Sequence, residues 1–295
     1  MILRKITRYF TIIAILILFI VLPGILNAQV YSANDTLICL SKFKLAIDKN
    51  LENEPIGDVI SSIGKSFIGT EYVEHTLERD GTETLVVNLS SLDCTTFLEN
   101  CLAIARCIKE RRTSFENFTN ELTKIRYRSG IINEYPSRLH YFSDWAFDNE
   151  EKGIIKNISK EIGGRSIKIN VNFMSAHPDY YHELNQNPEF ARLIEKQEKE
   201  ISNRESSYIS KENVSGIEKK IHNGDLIAIT SGIKGLDINH VGIAVRMDDG
   251  RIHLLHAPNV GYKVQITDAT LSDYLAKIKK DTGVIVMRAE EVSKN

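Results

Sequence analysis

The sequence predicts a mixed helix-and-strand domain, and three observations carry that expectation. A polar stretch, Ser90 to Glu99, runs into an apolar pattern at helical spacing with a cysteine in its first turn. Two runs rich in β-branched residues, Gly224 to Thr230 and His240 to Arg246, read as central strands on either side of a loop that reaches Asp237. Met247-Asp248-Asp249-Gly250 then turns the chain into a third run, Arg251 to Ala257, as a hairpin should. The length suits one large domain, and 42% hydrophobic content is enough for a core.

Taken in order, the chain opens like an export signal. Arg4, Lys5 and Arg8 form a basic start, Phe10 to Leu22 is almost wholly apolar, and Pro23-Gly24 breaks it before Ala28, the expected cleavage point. A retained membrane anchor is the alternative. The expected mature chain, residues 29–295, lies in a bacterial periplasm or beyond, with no stable membrane insertion. Losing three basic residues takes the formal charge from −2 to −5, which makes nucleic acid a poor partner. Helical periodicity over about 40–69 (Leu45, Ile47, Leu51, Ile56, Val59, Ile60, Ile63) marks an N-terminal helical extension, and 84–89 reads as a short strand.

Asp93 is a good N-cap, and Phe97, Cys101, Ile104, Ala105 and Ile108 recur behind it, so a helix should begin at or beside Cys94. Unpaired backbone N–H groups and the positive end of the helix dipole would stabilise a thiolate there. Cys94, Cys101 and Cys107 share that helix, about 9 Å or more apart along its axis, too far to pair with one another. Only Cys39 could bridge to one of them, so an unpaired thiol remains either way. A second helix is expected over 115–125, an aromatic segment with the sole tryptophan over 135–145, and a strand over 166–173. The charged, amphipathic stretch within about 187–210 reads as a helical surface insertion. His177 and His182 read as loop contacts rather than metal ligands.

The hairpin register decides which histidines can meet. A three-residue loop, Asp248-Asp249-Gly250 with Gly250 left-handed, pairs Met247 with Arg251 and leaves His240 and His256 as diagonal neighbours on one face, about 7–8 Å apart. A two-residue loop would send His256 to the other face. The first register is the one expected, because a histidine at the mouth of a buried strand needs a partner. Cys94 would then be the nucleophile, His240 its proton acceptor and later the donor to the leaving amine, and His256 the group that orients His240. Backbone N–H groups at Cys94 would help hold the oxyanion.

Asp93-Cys94-Thr95-Thr96-Phe97, His240-Val241-Gly242-Ile243 and Leu255-His256-Ala257 resemble the three catalytic motifs of the NlpC-type cysteine hydrolases of bacterial cell walls. Arg126-Tyr127-Arg128, Pro136 to Trp145, Asn172 to Ser175 and Gly235-Leu236-Asp237 resemble, more closely, the N-acetylmuramoyl-L-alanine amidase-like branch. The resemblance spans about residues 50–290. It implies an α+β, papain-like fold with the Cys94 helix packed on an antiparallel sheet, and a peptidoglycan or muropeptide substrate. It also implies cleavage between muramic acid and L-alanine through a thioester, with neither metal nor organic cofactor. It places Asp93, Tyr127, Ser143, Trp145, Ser175 and Asp237 near the cleft, with Asp93 capping the helix or meeting substrate, Trp145 stacking on sugar and Asp237 orienting a substrate group. Three alternatives stay open: a γ-D-glutamyl-diamino acid endopeptidase, a non-catalytic wall-binding module, and a metal site on Cys94, His240 and His256.

Overall fold

The computed structural model describes residues 29–292, so the expected export signal lies outside the described residues. Strand β1 (Gln29–Val30) leads into α1 (Ala33–Asp48), where Ser32 and Asp35 form a capping box. Asn50, left-handed at φ 54°, and Pro55 then separate α1 from α2 (Ile56–Lys65). The single pattern expected over 40–69 is thus two helices, and Ile47, which periodicity placed on the packing face, is 72% exposed. Strands β2 (Glu71–Tyr72), β3 (Leu85–Val86) and β4 (Ser91–Leu92) follow; β3 lies parallel to β1 and β4 parallel to β2. The chain next forms α3 (Cys94–Lys109), α4 (Phe115–Arg126) and α5 (Phe142–Glu151).

Strands β5 (Ile155–Asn157) and β6 (Arg165–Lys168) precede three helices, α6 (Phe173–Ala176), α7 (His182–Gln186) and α8 (Pro188–Ser202). The strand expected over 166–173 therefore ends early, and Phe173 starts a helix. The remaining elements are β7 (Glu205–Ser210), α9 (Val214–Ile217), β8 (Leu226–Ser231), β9 (Ile238–Arg246), β10 (Ile252–His256), β11 (Gln265–Ile266), α10 (Leu271–Lys277) and β12 (Asp281–Ala289). Among the described residues the main sheet is eight-stranded and antiparallel throughout, ordered β11-β10-β9-β8-β12-β7-β6, with β5 also on β12. An antiparallel sheet with helices packed on its faces is an α+β architecture.

Side chains alternate across this sheet. Val241, Ile243, Val245, Leu255 and Met287 join α2 and α3 in one core, while Ile229, Ala244, Leu254 and Val286 join Leu271 and Leu275 of α10 in the other. Gly64 lets α2 lie close to the sheet: a Cβ there would sit 2.8 Å from a Leu255 methyl. Phe97, Leu98, Leu102 and Ile104 of α3 are fully buried. Each such burial is worth about 1.5–3 kcal/mol, against about 1 kcal/mol for a cap. Packing therefore holds α3 in place, and the cap sets where it begins.

Helix α8 departs from the expectation of a surface insertion. Its outer face carries exposed i,i+4 pairs such as Lys199–Glu195, but Ile194, Glu198 and Ile201 form a buried inner stripe. The Glu198 carboxylate accepts from the Tyr141 hydroxyl (2.7 Å) and the Ser175 amide (3.0 Å), which ties α8 to the segments around the cleft described below.

Candidate active site

Cys94 is the first residue of α3. The Asp93 carboxylate accepts from the Thr96 amide at 2.7 Å and the Thr96 hydroxyl takes the Asp93 N–H at 2.9 Å, a capping box that fixes the helix start. The thiol is partly exposed and opens on a cavity of about 210 Å³ that His240, Val241, Asp237 and Tyr135 also line. The electrostatics differ from the thiolate expected at a helix N-terminus. Burial, reinforced by the Asp93 charge, pushes the thiol up to about 11, and donation from the backbone of Val241 and Thr95 offsets only part of this.

The hairpin adopts the expected register: Ile252 pairs with Arg246 and Leu255 with Ile243, and Gly250 is left-handed at φ 75°. His240 and His256 therefore share a face, and Nε2 of His240 lies 2.7 Å from Nδ1 of His256. A bulge between Ile229 and Thr230 of β8 leaves Asn239 of β9 as the extra residue just before His240, where a bulge re-aims side chains. The Asn239 amide is anchored on the Asp281 carboxylate at 3.0 Å. Burial pushes His240 down to about 4 and His256 to about 3, so both rings are neutral at pH 7. The 2.7 Å contact then requires one ring to donate. If His240 donates from Nε2, its Nδ1 carries the lone pair that can take a proton, and His256 keeps its own proton on Nε2. The edge of Tyr274 packs against His256, ring centroids 5.6 Å apart. His240 and His256 also line an open groove of about 780 Å³ on the α10 side.

The structure brings together only some of the residues expected near the cleft. Asp237 lines the cavity, with its carboxylate held by the amides of Ser143 (2.7 Å) and Ile238 (2.8 Å); burial pushes its pKa up. Ser143 thus meets Asp237 through its backbone amide, and the residue also borders a separate groove beside Phe147 and Arg204. Asp93 sits at the adjoining small recess with Thr95 and His140. Ser175 lies beside the cavity wall and donates its amide to Glu198.

Trp145 and Tyr127 do not reach substrate space. Trp145 has no exposed surface; its indole N–H donates to Glu99 at 3.1 Å, stacked on Phe142, so it cannot stack on a sugar. Tyr127 is 1% exposed, with its hydroxyl 2.8 Å from Glu83. Both belong to a buried polar layer behind α3, in which the Arg126 guanidinium meets Glu99 at 2.7 Å. Breaking one member of such a pair typically costs about 3–5 kcal/mol.

The aromatic residues that do line the cavity are Tyr135, Tyr141, Phe142, Phe173 and Tyr181, with His140 beside them. Sequence reasoning missed them, although Tyr135 and Tyr141 lie in the aromatic segment already singled out. Tyrosine and tryptophan both carry a polar end on an apolar ring, so no signal in the segment separates the wall residues from the buried tryptophan.

Cys39, Cys94, Cys101 and Cys107 are all free, and burial pushes Cys39 up to about 12. His177, in a loop, stacks on Tyr180, whereas His182 is the first residue of α7 and meets Asp80 at 3.3 Å, in a group with Glu183 whose ligand atoms lie within 4.8 Å of one another. Among the described residues no helix is long and apolar enough to cross a membrane.

The N-acetylmuramoyl-L-alanine amidase-like family model matches residues 62–284. A solved N-acetylmuramoyl-L-alanine amidase from Bacteroides uniformis is 35% identical, with a TM-score of 0.76 over 80% of this chain and 99% of that one. A Bacteroides fragilis structure, described only provisionally as a xylanase, is 38% identical with a TM-score of 0.73, covering 76% of this chain and 98% of that one. A Legionella pneumophila protein at 23% identity and a TM-score of 0.62 shares the fold over 85% of this chain and 93% of its own. No curated protein matches the sequence. Matched by the family model over most of its length, and similar at more than 30% identity to a solved amidase, the chain belongs to the N-acetylmuramoyl-L-alanine amidase-like family.

Proposed function

We propose that the protein is a cysteine-dependent amidase of the bacterial envelope that cleaves the bond between N-acetylmuramic acid and L-alanine, in peptidoglycan or in released muropeptides. One observation carries the reading: a thiol at a capped helix N-terminus opens on the same cavity as His240, whose Nε2 lies 2.7 Å from Nδ1 of His256. Helix, sheet and histidine pair in this order support a papain-like, NlpC-type arrangement. The basic-then-apolar start of the chain supports export.

The neutral state of both partners sets the first step. With the thiol pushed up to about 11 and His240 down to about 4, no standing thiolate–imidazolium pair is needed. Proton transfer from Sγ to Nδ1 of His240 accompanies attack of sulfur on the lactyl carbonyl carbon. The N–H of Cys94, unpaired at the first helical position, is placed to hold the oxyanion. Collapse breaks the C–N bond as His240 returns the proton to the nitrogen of L-alanine, leaving a thioester. His240 then deprotonates water for attack on the thioester, which releases the lactyl carboxylate and restores the thiol. His256 keeps His240 in the required tautomer throughout.

Mass spectrometry of defined muropeptides tests this directly. The mature protein should release stem peptide beginning at L-alanine, and Cys94→Ala should lower the rate by about 10³-fold or more while leaving the fold intact. Cleavage after D-glutamate would identify an endopeptidase instead, and no cleavage would favour a wall-binding module.

A further inference from the structure

Tyr135 stands out in the cavity wall. It is 2% exposed, yet its hydroxyl is buried without a hydrogen-bond partner among the described residues. Leaving such a group unpaired typically costs more than a made hydrogen bond returns, so its retention in a cleft points to a ligand. The ring is held firmly: the Arg138 guanidinium lies 5.0 Å from its centroid, His140 packs at 4.3 Å and Phe190 stacks at 6.4 Å. Tyr135 lines the same cavity as Cys94, so its unpartnered hydroxyl is a fixed donor within the cavity wall.

Charge narrows what it can bind. Glu78 and Asp237 line the cavity with it, and Asp93 borders the adjoining recess. The nearest cation, Arg138, is already spent on Glu78 at 3.0 Å and on Glu83. A carboxylate would be repelled here, whereas an uncharged carbonyl oxygen would be accepted. Burial and Glu78 push the phenol up, so it remains a protonated donor at any working pH.

Resting on the amidase reading, we propose that Tyr135 is a specificity-determining residue whose hydroxyl donates to the acetamido carbonyl of the muramoyl group. The acyl half of that substrate holds two carbonyls. The lactyl one is the reacting centre at Cys94, which leaves the 2-acetamido oxygen for Tyr135. The stem peptide then leaves on the side of His240 and His256, along the open groove that Lys277, Lys280, Asp268 and Asp281 border.

The test pairs Tyr135→Phe with two synthetic muramoyl peptides, one carrying the natural 2-acetamido group and one a 2-hydroxyl in its place. Wild type should lose about tenfold in kcat/KM between them. Tyr135→Phe should lose about tenfold on the acetamido substrate, discriminate between the two by less than about twofold, and melt at or above the wild-type temperature. Wild-type rates in the variant on the acetamido substrate, or equal losses on both substrates, would overturn the assignment while leaving the amidase reading standing. Failure of the wild type to release stem peptide from either substrate would overturn both.

Discussion

Asp93 acts on its neighbour Cys94 in two opposing ways. Its carboxylate caps α3, which fixes the thiol at the helix start, and its charge helps hold the proton on sulfur. Asparagine caps about as well as aspartate but carries no charge. Asp93→Asn should therefore melt near the wild-type temperature and react faster with iodoacetamide at pH 9, because more thiolate is present. Asp93→Ala should share the faster alkylation and lose about 0.5–2 kcal/mol of stability as well. Slower alkylation of the asparagine variant would show that the carboxylate does not raise the thiol. The cap was legible in the sequence because both partners lie within three residues. The raised thiol was not, since its burial depends on segments distant in the chain, such as those of Val241 and Met174 that line the same cavity.

At the level of the β9–β10 hairpin, the pairing of two neutral histidines has a consequence for pH. A base works only when deprotonated, and burial lowers the pKa of His240 to about 4, so the working range extends downward. The acid limb of kcat/KM should fall near pH 4 rather than near the usual 6.5, and a pH–rate profile checks this. A limb near 6.5 would mean that His240 is solvated in the working enzyme. Stability is a less direct readout. The buried histidines favour unfolding as pH drops below about 6.5, because the unfolded chain takes up protons first. Glu99 and Asp237, pushed up by burial, act in the opposite sense. The hairpin itself was readable because its register depends on a turn and an alternation that both lie within seventeen residues.

Across the whole molecule, the cleft is a meeting of distant segments. Glu198, buried in a helix whose sequence looks like solvated surface, holds Tyr141 and Ser175, and the Tyr141 hydroxyl in turn takes the Met174 amide at 2.9 Å. Glu198→Ala would leave these donors unpaired. It should lower activity on muropeptides by about tenfold or more and cost about 1–3 kcal/mol, readable from parallel kinetics and urea unfolding. Full activity with unchanged stability would show that α8 does not support the wall. Neither Glu198 nor the burial of Trp145 could be read from the chain, because a charged residue on a polar helix and a tryptophan among aromatics look alike in sequence whether they face core or solvent. Turn length, by contrast, couples the surface to the chemistry. Exposed turns are ordinarily where proteins gain and lose residues most freely. The turn at Asp248–Gly250 lies roughly 20 Å along the strand from His256, yet one residue more or fewer there would rotate every β10 side chain to the opposite face and separate the histidines. Drift in this family should therefore hold the length of that turn as constant as the histidines, while leaving the identity of its exposed side chains free.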